Sequence, residues 1–234
     1  MTRDRVIVAL DVASRAAALK LVDRLGDETQ FYKVGAQLFT AAGPPICKAL
    51  TKLGKRVFLD LKFHDIPNTV AGAVRAAADL GVSMLTVHAA GGPAMLVAAR
   101  EAAGDHGPAL FAVTLLTSLG TDDLPLIFGH APVSMLHEVV RLAGLAAAAE
   151  LTGVVASVTE VRSIRRRYGE RLKVLAPGIR LPADEPGDQV RYATPADAGR
   201  AGADYVVVGR SVTSAPDAAR AFRAVVEAFE GSAV

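Results

Sequence analysis

Short β-branched runs alternate with Ala-rich amphipathic stretches from one end of the chain to the other. The runs that read as strands are Val6–Leu10, Phe31–Val34, Val57–Leu61, Met84–Val87, Leu110–Leu115, Gly153–Ala156, Lys173–Ala176 and Tyr205–Val208. Helical patterns lie between and after them. Gly26, Gly54, Gly81 and Gly202 fall where such patterns end, as helix C-caps do. Thr194-Pro195-Ala196-Asp197 reads as a helix start, with an N-cap, a proline in the first turn and an acid at the third position. Strictly alternating βα units imply a parallel sheet. Eight of them, with no long linker or low-complexity break, predict a single (β/α)8 TIM barrel domain over residues 1–234. The competitor is a doubly wound open sheet. A glycine fingerprint after the first strand would favour it, and Leu10-Asp11-Val12-Ala13-Ser14 has none.

The third strand runs into VFLDLKFHDIPNTV, which carries Asp60, Lys62 and Asp65 within six positions of an apolar run. Charges so placed are costly to desolvate unless paired or used. Side chains alternate faces along a strand. Val57, Leu59, Leu61 and Phe63 therefore share the face that packs beneath helices, and Phe58, Asp60, Lys62 and His64 point inward. The first strand repeats the pattern, with Ile7, Ala9 and then Asp11 inward, and in the second Lys33 shares the parity of Phe31. Asp11, Lys33, Asp60 and Lys62 thus gather at the carboxyl end of the barrel, where active sites of this fold sit. A buried ion network plugging the barrel would desolvate four charges for no net stability, so a functional cluster is the better reading.

A second cluster lies across the mouth. Strand seven ends in Ala176-Pro177-Gly178-Ile179-Arg180 and strand eight in Val208-Gly209-Arg210-Ser211. Loops after these two strands commonly bind phosphate in this fold. Gly178 and Gly209 admit backbone amides close to an anion, and Arg210 offers a two-pronged charged contact.

Composition narrows the setting. The 234 residues are 51% hydrophobic, enough for a large core, and 26 basic against 24 acidic residues leave a net charge of +2 with no block of either sign. Arg165-Arg166-Arg167 is the nearest to a basic run and reads as a solvated helix face rather than a nucleic-acid contact. Cys47 is the only cysteine, which excludes an internal disulfide framework or a Cys-based metal cluster, and it reads as a packing residue. The start, MTRDRVIVALDVAS, lacks the apolar segment of a signal peptide, and no run has the length of a membrane span, so a cytoplasmic setting is expected.

Asp60-Leu61-Lys62-Phe63-His64-Asp65-Ile66-Pro67-Asn68-Thr69 resembles the DxKxxDIPNT signature of the orotidine 5′-phosphate decarboxylase family. The resemblance spans nearly the whole chain. It includes Ala9-Leu10-Asp11, Tyr32-Lys33-Val34-Gly35, Thr86-Val87-His88-Ala89, Ala176-Pro177-Gly178-Ile179-Arg180, Gly187-Asp188-Gln189 and Val208-Gly209-Arg210-Ser211. The bare DxKxxD element also occurs in related phosphosugar decarboxylases and hexulose-phosphate synthases; the segments with Arg180 and Gln189 set the nucleotide enzyme apart.

The resemblance implies decarboxylation of orotidine monophosphate to uridine monophosphate, the last step of pyrimidine synthesis, without metal or organic cofactor. Lys62 would stabilise and protonate the ring carbanion, and Asp60 would lie against the departing carboxylate. Asp65, with Thr69, would reach the neighbouring subunit's site in a homodimer, where it would orient Lys62 and help hold the ribose, and Ile66 would be a further substrate-binding residue. Asp11 and Lys33 match ribose and network positions, and Thr117 or Ser118 would meet the pyrimidine edge. Pro177, Arg180, Gln189, Gly209 and Arg210 complete the substrate site on the phosphate side. The loop Leu181–Asp188, with no strand or helix period, would close and bring Gln189 to the phosphate. His64 and His88 are expected to give supporting hydrogen bonds, and His106, His130 and His137 to be loop or helix-surface residues. Two other functions compete: a metal-assisted phosphosugar decarboxylase or aldolase of the same suprafamily, and a catalytically silent nucleotide-binding barrel.

Overall fold

A computed structural model describes residues 2–129, 134–182 and 191–232. Eight parallel strands close into a barrel in sequence order: β1 Val6–Ala9, β2 Phe31–Gly35, β3 Arg56–Phe63, β4 Met84–His88, β5 Ala109–Val113, β6 Gly153–Val155, β7 Lys173–Ile179 and β8 Tyr205–Val208. Closure is made where Val6, Ile7 and Val8 pair with Val206, Val207 and Val208. The barrel predicted from the alternating pattern is the one observed, and the open sheet is excluded.

The period-two alternation sorts the core into two layers. Ile7, Ala9, Phe31, Phe58, Met84, Phe111, Leu175 and Val207 fill the barrel interior. Their neighbours Val6, Val8, Tyr32, Val57, Leu59 and Leu85 face outward into the larger core beneath the helices. Those helices present matching stripes; Ala218–Glu230 buries Phe222, Val225, Val226 and Phe229 along one side. Predicted caps are present. Gly26 and Gly202 end helices with positive φ, and Thr194 makes a capping box with Asp197.

Seven of the eight strands end at a different residue from the sequence reading, four of them by a single residue and β3, β5 and β7 by two or three. β3 runs two residues further and β7 three, and in both the extra length contains a register shift against the next strand, between Leu59 and Phe63 and between Ala176 and Ile179. Lys62 takes φ 52° in the first and Gly178 takes φ 74° in the second. These irregularities bend the strand and re-aim its side chains at the barrel mouth. β5 stops two residues short of Leu115, because its neighbour β6 ends at Val155 and Thr114 makes the last bonds to that carbonyl. β1 ends at Ala9 rather than Leu10.

The basic run is also corrected. Arg166 and Arg167 are exposed, but the Arg165 guanidinium is mostly buried and pairs with Asp204. Cys47 is fully buried on the helix Pro45–Lys52, and burial pushes its thiol up to about 11. No helix among the described residues is long and apolar enough to cross a membrane.

Candidate active site

The carboxyl ends of the strands surround a cavity of about 480 Å³. One side is a chain of alternating charges built by β1, β2 and β3. Asp11 accepts from Lys33 Nζ at 2.9 Å, Lys33 Nζ lies 3.6 Å from Asp60 Oδ2, and Lys62 Nζ donates to Asp60 Oδ1 at 3.0 Å. Exposure falls toward the middle: the side chains of Lys33 and Asp60 are each 12% exposed, against 58% for Asp11 and 39% for Lys62. Each buried charge thus has an opposite charge on both sides, and the two ends face the opening. Alternation of sign meets the desolvation cost that an isolated buried charge would incur.

Local structure explains how these side chains reach one another. A Cβ at Gly35 would sit 2.9 Å from Lys33 Nζ and 3.3 Å from Asp11 Oδ1, so glycine there leaves room for the Asp11–Lys33 pair. Lys62 occupies the left-handed region, a conformation that costs an L-residue about 1–2 kcal/mol. Its backbone N–H is not lost to the irregularity. It donates to the hydroxyl of the fully buried Thr86 at 2.9 Å, and that hydroxyl donates to Asp60 Oδ1 at 3.0 Å.

The opposite side is formed after β5 to β8. Thr117 lines the cavity with Leu115 and Leu116, and Pro177, Arg180, Gly209 and Arg210 complete it. Ser118, the alternative to Thr117, is not among the lining residues. Backbone bonds from Arg180 to Ala193 and from Ala193 to Gly178 fasten the returning chain to the end of β7. Gln189 and most of the Leu181–Asp188 loop lie outside the described residues, as does His130.

Nine of the predicted residues therefore converge on one cavity: Asp11, Lys33, Asp60, Lys62, Thr117, Pro177, Arg180, Gly209 and Arg210. Asp65, Ile66 and Thr69 do not line it. All three are exposed at the start of the helix Pro67–Asp79, where Asp65 accepts the Ile66 N–H at 2.6 Å and Ile66 is 67% exposed. His64, expected to point inward, also lies outside the lining, because β3 ends at Phe63. It stacks on His88 with ring centroids 5.2 Å apart. His88 Nδ1 accepts the Ala90 N–H. Burial, then the nearby charges of His64 and Lys62, hold the His88 imidazolium below its usual pKa. His106 and His137 are exposed as expected.

The sequence reading missed Thr86 and Gly35 as supports, although both stand within segments that carry the resemblance. It missed Glu160 and Arg191 altogether. Among the described residues, no three His, Cys, Asp or Glu side chains converge so as to hold a metal ion.

A closed parallel barrel with a charged cavity at its carboxyl face defines a (β/α)8 barrel of the enzyme type. Residues 4–225 match the model of the orotidine 5′-phosphate decarboxylase / HUMPS family, and the chain belongs to that family. It is 48% identical to the orotidine 5′-phosphate decarboxylase of Moorella thermoacetica, over 97% of this chain and 93% of that protein. It is 47% identical to the enzyme of that name from Pectobacterium carotovorum, over 94% of this chain and 90% of the relative. Among solved structures, it is similar to orotidine 5′-phosphate decarboxylase from Lactobacillus acidophilus, with a TM-score of 0.85 and 37% identity over 97% of this chain and 99% of that one. The enzyme from Pyrococcus horikoshii OT3 gives a TM-score of 0.77 at 28% identity, with the same coverage.

Proposed function

We propose that this protein decarboxylates orotidine 5′-monophosphate to uridine 5′-monophosphate in pyrimidine synthesis, with Lys62 as the proton donor and no metal or organic cofactor in the step. The observation that carries the reading is the alternating row Asp11–Lys33–Asp60–Lys62 along one side of a cavity whose other side holds Arg180 and Arg210. A nucleotide needs both ends: cations for its phosphate and a charged, partly desolvated site for its ring.

The chemistry is the loss of carbon dioxide from an sp² ring carbon. The C–C bond breaks, its electron pair stays on the ring carbon in an orbital that the π system cannot delocalise, and a proton must replace the lost group. An ammonium held by a carboxylate beside that carbon supplies both needs, stabilising the developing charge and then delivering the proton from Nζ. Solvent returns the proton to the neutral amine. Asp60 lies against the carboxylate that leaves, and its bonds to Lys62 and Thr86 hold it in place. Thr117 meets the pyrimidine edge, Asp11 and Lys33 the ribose, and Pro177, Arg180, Gln189, Gly209 and Arg210 the phosphate side.

Asp65, Ile66 and Thr69 fit this scheme as residues given to a second copy's cavity in a homodimer. Their exposure on the flank of β3, and the bare side chain of Ile66, support that reading.

The test is absorbance of orotidine monophosphate with wild-type enzyme and Lys62→Ala, in the presence and absence of chelator. Wild-type turnover should be indifferent to chelator. The variant should lose all measurable turnover yet bind uridine monophosphate, because phosphate and ribose contacts are made elsewhere. Near-normal turnover by Lys62→Ala would exclude it as donor, and chelator-sensitive activity revived by magnesium would favour the metal-assisted class.

A further inference from the structure

Strand β5 ends at Val113, yet the residues that follow, Leu115 to Thr117, form a wall of the cavity with no ladder to hold them. Arg191 takes the ladder's place. Its Nη2 donates to the carbonyls of Leu116 at 2.9 Å and Leu115 at 3.4 Å, and its backbone N–H donates to the Thr117 carbonyl at 3.2 Å. Three consecutive carbonyls thus rest on one residue from the far side of the β7–β8 connection. The guanidinium is fixed in turn by Glu160, in the first turn of the helix Val158–Tyr168, whose Oε1 accepts from Nη1 at 2.5 Å and from the Thr159 hydroxyl at 3.0 Å.

The side chains of Arg191 and Glu160 are only 12% and 4% exposed, and among the described residues Arg191 Nε and Glu160 Oε2 have no hydrogen-bond partner. Stability alone gives little reason for such a pair, since apolar residues of similar volume would serve as well or better. Apolar residues offer no directional donors, however, and a fork of fixed geometry does. The pair is also a partition. Arg191 and Glu160 line a second hollow on the outer side, and the carbonyls that Arg191 holds belong to residues lining the first.

We propose that Glu160 and Arg191 form a positioning pair that sets the Leu115–Thr117 wall against the pyrimidine ring of the bound nucleotide, a role that rests on the functional reading above. Neither residue touches substrate. The pair acts on ligands that have a ring and is silent toward those that lack one.

Two variants separate this role from general support. Arg191→Lys keeps the charge and loses the fork; Glu160→Gln keeps the shape and loses the charge, and being isosteric keeps the test open if the first variant does not fold. Calorimetry gives the affinity of each for uridine monophosphate and for ribose 5-phosphate. Uridine monophosphate should weaken on the order of tenfold, the scale of one displaced hydrogen-bonding contact, with ribose 5-phosphate unchanged. Equal weakening of both ligands, weakening of ribose 5-phosphate alone, or no change in either overturns the proposal. Wild-type turnover of orotidine monophosphate is the separate control on the functional reading. If that control fails, amide exchange decides the structural part: faster exchange in the peptide spanning residues 114–119, with the strand peptides unchanged, upholds Arg191 as the support of this wall, and unaltered exchange sinks it.

Discussion

One hydroxyl secures two members of the charge row. Thr86 receives the N–H of Lys62, freed by the shift in β3, and gives its own hydrogen to Asp60. Thr86→Val keeps the shape, takes the acceptor from the Lys62 N–H and leaves Asp60 Oδ1 with Lys62 Nζ alone, at a cost of about 1–3 kcal/mol. If that cost falls on the reacting geometry, kcat should drop about tenfold to a hundredfold with KM little changed. Thr86→Ser should recover most of it. Steady-state kinetics beside a thermal melt would tell the roles apart: a lowered melting temperature with normal kcat would make Thr86 a structural residue only. His88 gives a pH prediction at the same scale. Its imidazolium is disfavoured in the folded protein, chiefly by burial, so its folded pKa lies below the unfolded value of about 6.5. Below that pH the unfolded chain takes up a proton that the folded chain resists, and stability falls as pH drops from about 6.5 through the folded pKa. His88→Gln should therefore lose less melting temperature than wild type between about pH 7 and pH 5. Parallel curves would refute the assignment.

The strands carry chemistry at one end and stability at the other. At the carboxyl end, β3 and β7 each contain a register shift, at Lys62 and Gly178, which breaks the strict alternation of side chains at the barrel mouth. At the amino end, Asp204 precedes β8 and gathers its neighbours. It pairs with Arg165, lies 3.2 Å from Lys173 Nζ, accepts the Val174 N–H at 2.7 Å, and its carbonyl accepts from Arg5 Nε at 2.7 Å. Its side chain is only 13% exposed. Removing it leaves the mostly buried Arg165 with only the exposed Glu170 carboxylate and backbone carbonyls, so Asp204→Ala should lower stability by about 3 kcal/mol in denaturant unfolding. At temperatures where the variant is folded, kcat should be that of wild type, because this end of the barrel is remote from the cavity. A parallel loss of kcat would show that the two ends are not separable.

Across the whole molecule, the described candidate site residues that lie outside the cavity, Asp65, Ile66 and Thr69, are the ones proposed to serve a second copy. If each site of a homodimer takes Asp60 and Lys62 from one copy and Asp65 from the other, two inactive proteins should complement. Lys62→Ala and Asp65→Ala chains unfolded together and refolded as a mixture give half mixed dimers, each with one intact site, so about a quarter of normal site activity should return. Subunit exchange is checked by mass. With exchange proven and no activity recovered, Asp65 works within its own chain or not at all.

The sequence alone determined the barrel and the inward charges, because the alternation of side chains along a strand is a property of the backbone and needs no partner to be read. Ile7 and Ala9, Phe31 and Lys33, Phe58 and Asp60 fall on their faces by counting. Counting failed where a neighbour decides. The apolar run to Leu115 continues in the sequence, but a strand lasts only as long as its ladder, and β6 stops at Val155. The shift at Lys62 exists only relative to β4, so strict alternation placed His64 inward when the chain had already turned away. Arg165 and Asp204 are 39 residues apart, and Arg191 and Glu160 are 31 apart. Nothing in either local pattern marks a charge as buried or names its partner. Closure of the barrel brings those helices and loops together, and only then does a basic run become an anchor or a lone arginine the support of a wall.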